Sequence, residues 1–154
     1  MEHWLISPKA THLLGIELAQ PLIAALSLKN DTLPIVLLSG NLGSGKTCLV
    51  KGLAKGLNIS ESITSPTFTL SQWYVGHINR MVIQLMHIDL YRLDQSKLAD
   101  EFLTEEIQEA INSNTVIVVE WPERLSFVPK NCWRVELKIE TEGRRALITS
   151  PRLD

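Results

Sequence analysis

Cysteine is scarce in this sequence: Cys48 and Cys132 are the only two. Two cysteines build no disulfide framework, and neither has the neighbours of a spaced metal site. The chain therefore fits a reducing compartment, where Cys48 is expected to pack as a small apolar residue. A basic excess is missing as well. Lysine and arginine together number 15 against 17 acids, for a formal net charge of -2, so the composition lacks the positive footprint of a nucleic-acid binder. No apolar run approaches the ~20 residues that span a bilayer. Met1 to Ser7 holds no basic region followed by a long apolar one, so no signal peptide is expected. Internal repeats, linkers and low-complexity tracts are absent too. The chain has 154 residues, 45% of them hydrophobic and 21% charged. That suits one soluble domain over residues 1–154, in the cytosol, without room for a second core.

The apolar pattern gives an alternating α/β reading. Trp4-Leu5-Ile6 suits a short edge strand. Ser7-Pro8 reads as a helix start, with serine capping and proline in the first turn. Leu14, Leu18 and Leu22 recur at helical spacing, so a helix is expected from Pro8 to about Leu26, kinked or ended by Pro21. Lys29-Asn30-Asp31 is a polar connection. Pro34 to Leu38 is a continuous apolar run, the mark of a strand buried on both faces, and a helix is expected from Lys46 to about Leu57. Thr69–Val75 and Met81–Ile88 read as the strands of a hairpin joined through Gly76 to Asn79. Asp100 to Ile111 carries a helical pattern whose acids, Glu101 to Glu109, read as a solvated face. Thr115–Val119 is a second fully buried strand, and Trp133–Glu140 with Ala146–Ser150 form two more about a Glu142-Gly143 turn. The fold expected is a three-layer P-loop NTPase-like domain. Its mixed β-sheet is parallel in the core, antiparallel toward its edges and flanked by helices.

Chemistry concentrates where the first buried strand ends. Gly40-Asn41-Leu42-Gly43-Ser44-Gly45-Lys46-Thr47 matches G-x-x-x-x-G-K-[ST], a pattern that average composition would produce in roughly 0.5% of chains this long. Strand before and helix after are what phosphate binding requires. The glycines let successive N–H groups turn inward, and the helix start adds its positive end. Lys46 can reach the β- and γ-phosphates of ATP, and the Thr47 hydroxyl can ligate Mg²⁺. The bland alternative is an ordinary glycine-rich turn.

A metal-side acid is then needed at the end of a neighbouring strand. Glu120 closes the cleaner apolar strand and is preferred over Asp89, whose strand is broken by Gln84 and His87. Asp89 is either a cap before Leu90-Tyr91-Arg92 or a second group near the γ-phosphate. Ser65-Pro66-Thr67 is either a switch loop closing on the γ-phosphate, with Thr67 meeting metal or water, or a surface ST-turn. His87 shares a sheet face with Asp89 and reads as a hydrogen-bonded structural histidine. Trp121 can lie beside the nucleotide or in the core. Arg92, Arg124, Arg144 and Arg145 are unranked candidates for charge stabilisation.

Taken together, the Gly40–Thr47 loop, Ser65-Pro66-Thr67-Phe68-Thr69-Leu70, His87-Ile88-Asp89-Leu90-Tyr91-Arg92-Leu93 and Glu120-Trp121-Pro122-Glu123 resemble the bacterial TsaE (YjeE) ATPases in order, wording and spacing. The resemblance spans most of the chain. It implies a part in making N6-threonylcarbamoyladenosine beside the anticodon of tRNA. It implies ATP and Mg²⁺ as ligands and the TsaD and TsaB proteins as partners, with tRNA met only through that complex. Members do not transfer the threonylcarbamoyl group, and their ATP hydrolysis depends on the partners and resets the complex. Carried over by motif, Thr47 and Glu120 face the metal, Asp89 is needed for activity and Thr67 is the switch residue. One position departs: the family usually has aspartate where this chain has Asn41. The backbone cradle is untouched by that change, but any catalytic role of an acid there is lost.

Other P-loop readings fit less well. A small kinase of a metabolite is the runner-up, yet the chain is short and carries no arginine-rich lid. A GTPase would bring an N-K-x-D segment, and an ABC-type subunit an L-S-G-G-Q signature; neither is present.

Overall fold

The computed structural model describes residues 1–28, 32–66 and 69–152. Along the chain the elements are β1 (Glu2–Leu5), α1 (Pro8–Ser27), β2 (Ile35–Gly40), α2 (Lys46–Gly56), β3 (Ser71–Ile78), β4 (Met81–Asp89), α3 (Ser96–Ala110), β5 (Thr115–Glu120), β6 (Cys132–Ile139) and β7 (Arg144–Thr149), with a single 3₁₀ turn at Pro122–Arg124. The seven strands form one sheet in the order β1-β7-β6-β2-β5-β4-β3. Strands β4, β5, β2 and β6 run parallel through the centre. Antiparallel β3 closes one side, and β7 with β1 closes the other.

The two continuous apolar strands are buried because helices cover both faces. Val36, Leu38, Val116 and Val118 join Leu14, Leu18, Leu49 and Leu53 of α1 and α2 in one cluster. The alternate residues Ile35, Leu37, Ile117 and Val119 pack with Ala99 and Leu103 of α3 in the other. Period-two alternation thus splits each strand between two cores. Toward β6 the α3 face opens: Arg134, Glu136 and Lys138 are exposed there while Trp133, Val135 and Leu137 stay buried beneath α1.

Helix α1 starts as its sequence implies, with Ser7 Oγ accepting from the Ala10 amide at 3.2 Å and Pro8 in the first turn. It does not stop at Pro21 but runs on to Ser27. Beyond the proline, Leu22 is fully buried and Ala25 nearly so. Their burial holds the last turns in place despite the hydrogen bond that proline removes. Helices α1 and α2 touch backbone to backbone: a Cβ on Gly15 would strike the Leu49 carbonyl, and one on Gly52 the His12 carbonyl.

The β3–β4 turn falls later than the sequence suggests. Gly76 lies inside β3, where a Cβ would collide with the Leu57 carbonyl. The two-residue turn is Asn79-Arg80, with φ of 49° and 68°, the left-handed pair such hairpins use. Helix α3 begins four residues before the expected Asp100. No helix among the described residues is long and apolar enough to cross a membrane.

Candidate functional site

Strands β2, β4 and β5 deliver Gly40, Asp89 and Glu120 to the same end of the parallel core, where open α/β sheets place their ligands. Asp89 pairs with Glu120 in register, and Glu120 with Leu38. The segment Asn41–Gly45 forms a tight loop from β2 into α2. Gly40 is needed at its foot, because a Cβ there would collide with Ser44 Oγ and come within 2.8 Å of the Leu137 carbonyl. Gly45 caps α2 at φ 104°, a left-handed conformation, and lies over the buried Thr11 side chain. Leu42 stands out at 94% exposure, while Ser44 is buried, with its Oγ lacking a partner among the described residues. Lys46 Nζ folds back to donate to the carbonyls of Gly40 and Asn41. Thr47 sits half-buried in the first turn of α2. Cys48 is also half-buried, and its thiol donates to the Pro8 carbonyl at 3.1 Å rather than lying in purely apolar surroundings.

The two acids occupy different environments. Glu120 is buried at 3% exposure, with Oε2 2.9 Å from Nε2 of the fully buried His87. With the carboxylate accepting, His87 carries its proton on Nε2, and Nδ1 has no partner among the described residues. Asp89 is half-buried and its Oδ1 accepts from the Tyr91 amide at 2.9 Å, the cap its position suggested. Burial holds the Asp89 carboxyl above its ordinary value. The Tyr91 amide opposes this, the charge of Glu120 adds to it, and His87 and Lys46 pull the other way. Two neighbouring carboxylates, one buried and one resisting ionisation, form an arrangement that a cation relieves. Among the described residues no group of three or more His, Cys, Asp or Glu could hold a metal unaided. A cation here would need Thr47 and ligand oxygens alongside the acids, which matches a P-loop donor set.

Trp121 adopts φ 60°, a left-handed conformation rare for a bulky residue. Its ring lies 5.8 Å from Lys46 Nζ, with Tyr91 packed on it at 4.9 Å between centroids. The Arg124 guanidinium lies over both rings, 5.6 Å from Trp121 and 5.9 Å from Tyr91, and donates to the Tyr91 carbonyl. A cavity of about 440 Å³ adjoins the loop, lined by Gly40, Asn41, Trp121, Leu137 and Lys138 among others. A second, of about 380 Å³, brings Ser65, Pro66 and Thr69 together with Asp89, Tyr91 and Arg92. The loop flanking Thr67 therefore faces Asp89; Thr67 itself lies outside the described residues.

Sequence reasoning left Arg92, Arg124, Arg144 and Arg145 unranked; Arg92 lines the cavity that holds Asp89, and the structure separates the other three. Arg145 is taken up by Glu2 and Glu140. Arg124 stacks beside Trp121, and Arg144 reaches the Asn41–Gly45 loop, donating through Nε and one terminal nitrogen to the Gly43 carbonyl. Tyr91 was missed as a candidate site residue; an aromatic two residues after the capping acid Asp89 was the available signal.

Comparison with known proteins adds a family. Residues 5–147 match the family model described as "Threonylcarbamoyl adenosine biosynthesis protein TsaE". A tRNA threonylcarbamoyladenosine biosynthesis protein TsaE from Treponema pallidum is 41% identical over 73% of this chain and 78% of its own. One from a Nostoc species is 38% identical over 96% of this chain and 84% of its own. The crystal structure of YdiB from Bacillus subtilis superposes with a TM-score of 0.64 over 99% of this chain and 86% of that one, at 23% identity, a likeness of fold.

Proposed function

The chain belongs to the TsaE family, and from that premise we propose that it binds ATP with Mg²⁺ and hydrolyses it in the biosynthesis of N6-threonylcarbamoyladenosine in tRNA. The observation that carries this reading is the meeting of the Gly40–Thr47 loop with the Asp89–Glu120 pair at the ends of adjoining parallel strands. The amides of Asn41, Leu42, Gly43 and Gly45 supply the phosphate cradle, with Ser44 keeping the loop turned through its bond to the Asn41 carbonyl, and Lys46 exchanges its carbonyl partners for phosphate oxygens. Thr47 and Glu120 hold the metal, which when bound neutralises charge on the phosphates. His87 keeps the Glu120 carboxylate oriented, as outer partners of metal ligands do. Asp89, with a carboxyl that ionises reluctantly, is placed to orient or deprotonate the attacking water, and Thr67 completes the site from its loop. Trp121 lies against the nucleotide.

Arg124 is engaged with Trp121 and Tyr91, Arg144 with the Gly43 carbonyl and Arg145 with Glu2 and Glu140, and fast hydrolysis draws on charge supplied from elsewhere. TsaD and TsaB are the partners that complete it. They act in the cytoplasm and bring tRNA only through the complex. ATP turnover with and without purified TsaD and TsaB tests this. Slow turnover alone, a clear rise with both partners and loss of that rise in Thr67→Ala with ATP binding retained are expected. Fast turnover by the lone chain, unchanged by the partners, overturns the reading. Acceleration by a small-molecule acceptor instead points to a kinase.

A further inference from the structure

Gly43 lies at the outer side of the loop with φ 80°, and a Cβ added there would touch nothing within 4 Å. The space a side chain would fill is open there, and a glycine at positive φ is the residue whose neighbouring peptide plane rotates most cheaply. Yet the Gly43–Ser44 plane is held at both ends. Its N–H, belonging to Ser44, donates to the Asn41 carbonyl at 3.0 Å. Its carbonyl receives Arg144 Nε at 3.3 Å and an Arg144 terminal nitrogen at 3.1 Å, from 101 residues away.

Arg144 is itself fixed. It opens β7, paired with Ile139 on one side and Leu5 on the other. Its remaining terminal nitrogen donates to the Gly143 carbonyl at 2.8 Å. Gly143, at φ 98°, is pressed so closely on the Leu5 backbone that a Cβ would collide. The guanidinium therefore enters the contact with its rotamer already chosen, and little further entropy is lost in holding the loop.

We infer that Arg144 is a positioning residue for the phosphate loop, clamping the Gly43–Ser44 peptide so that the loop is held open for phosphate. The inference rests on the nucleotide-binding reading of the site and deepens it. In the loop as it stands, Lys46 contributes its own tie to the Gly40 and Asn41 carbonyls. A phosphate that recruits Lys46 dissolves that tie. The Arg144 clamp is directed at a different carbonyl and survives the exchange. Its neighbour Arg145 is committed to Glu2 and Glu140 and serves as the matched control.

The test has two arms on the full chain. Amide hydrogen exchange by NMR reads the loop without nucleotide. Calorimetry with ATP–Mg²⁺ and with ADP reads binding, and melting temperatures are recorded for every variant. Arg144→Ala is expected to speed exchange of the Ser44 amide about ten-fold and to weaken both nucleotides about ten-fold, the scale of a lost charge-assisted hydrogen bond. Its melting temperature should stay close to that of the parent. Arg144→Lys should restore part of both effects, and Arg145→Ala should change neither. Parent-like exchange and affinity in Arg144→Ala, or equal losses in Arg145→Ala, overturn the clamp. Absence of nucleotide binding by the parent chain overturns the reading of the site instead, while the exchange arm still decides whether the clamp exists.

Discussion

His87 and Glu120 face each other across adjacent parallel strands, ring to carboxylate at 2.9 Å, with both side chains out of water. Removing either partner strands the other in the core. His87→Leu, which keeps the volume and deletes the N–H, is expected to cost about 2 kcal/mol of folding stability. Urea unfolding measures it, and a loss below about 0.5 kcal/mol would mean that the bond is not holding Glu120. The same variant should lower Mg²⁺-dependent nucleotide affinity by about ten-fold or more, as the loss of an outer partner does.

Lys46→Ala should weaken ATP binding and abolish turnover, because the cradle loses its charged side chain. Lys46 is assigned to the β-phosphate as well as the γ-phosphate, so affinity for ADP should fall as well. Thr47→Ala should chiefly erase the Mg²⁺-dependent part of binding. Calorimetry with and without Mg²⁺ separates the two, and parent-like affinity in Lys46→Ala would dismiss the phosphate-loop assignment.

Glu120→Gln and Asp89→Asn should divide binding from hydrolysis. Buried Glu120 is assigned to the metal, so its amide should lose Mg²⁺-dependent affinity. Half-buried Asp89, whose carboxyl is held above its ordinary value mainly by burial, should tolerate the amide in binding and lose turnover. Should Asp89→Asn prove to be the variant that no longer responds to Mg²⁺, the roles are reversed.

Glu106 offers a pH test on the α3 side of the sheet. Burial lifts its carboxyl above the ordinary value, the charge of Glu109 lifts it further, and a hydrogen bond from Ser71 opposes the rise. A carboxyl raised by folding favours the folded state while protonated, below its unfolded pKa, and that advantage disappears as pH climbs through the folded value. Glu106→Gln should therefore be the more stable protein at neutral pH, with its advantage shrinking as pH falls through the carboxylate range. Melting temperatures at pH 4 to 8 check this (about that interval, by the ordinary carboxylate range), and a constant difference across the series would discard the account.

Trp121 should report nucleotide arrival, since Lys46 leaves its place near the ring when it turns to phosphate. Emission should change on adding ATP–Mg²⁺, and Trp121→Phe should remove most of that change. Trp4, Trp73 and Trp133 remain as background. A full response surviving in Trp121→Phe would place the ring elsewhere.

What could be read without coordinates was whatever periodicity or local spacing encodes. The runs before Gly40 and Glu120 announced strands buried twice over, because only helices on both faces make such runs favourable. His87 was legible as a structural histidine from its two-residue offset to Asp89. Where distant contacts decide, the letters were silent. Pro21 stays in its helix because Leu22 and Ala25 are buried. Gly76 looks like a turn residue, but close approach to the Leu57 carbonyl requires glycine inside a strand. Glu106 reads as one more solvated acid, and nothing in Arg144-Arg145 says that consecutive arginines have unrelated partners.

The bare contact between α1 and α2 has a mechanical meaning. With no side chain between the two backbones at Gly15 and Gly52, the pair acts as a laminated beam, and a methyl group at either position is a wedge driven into the seam. Gly52 lies six residues, or about 9 Å of helix rise, from Lys46. A tilt opened at that pivot is amplified toward the end that carries Lys46 and Thr47. Alanine at either glycine is thus expected to shift Lys46 and Thr47 from a distance, leaving both side chains chemically intact.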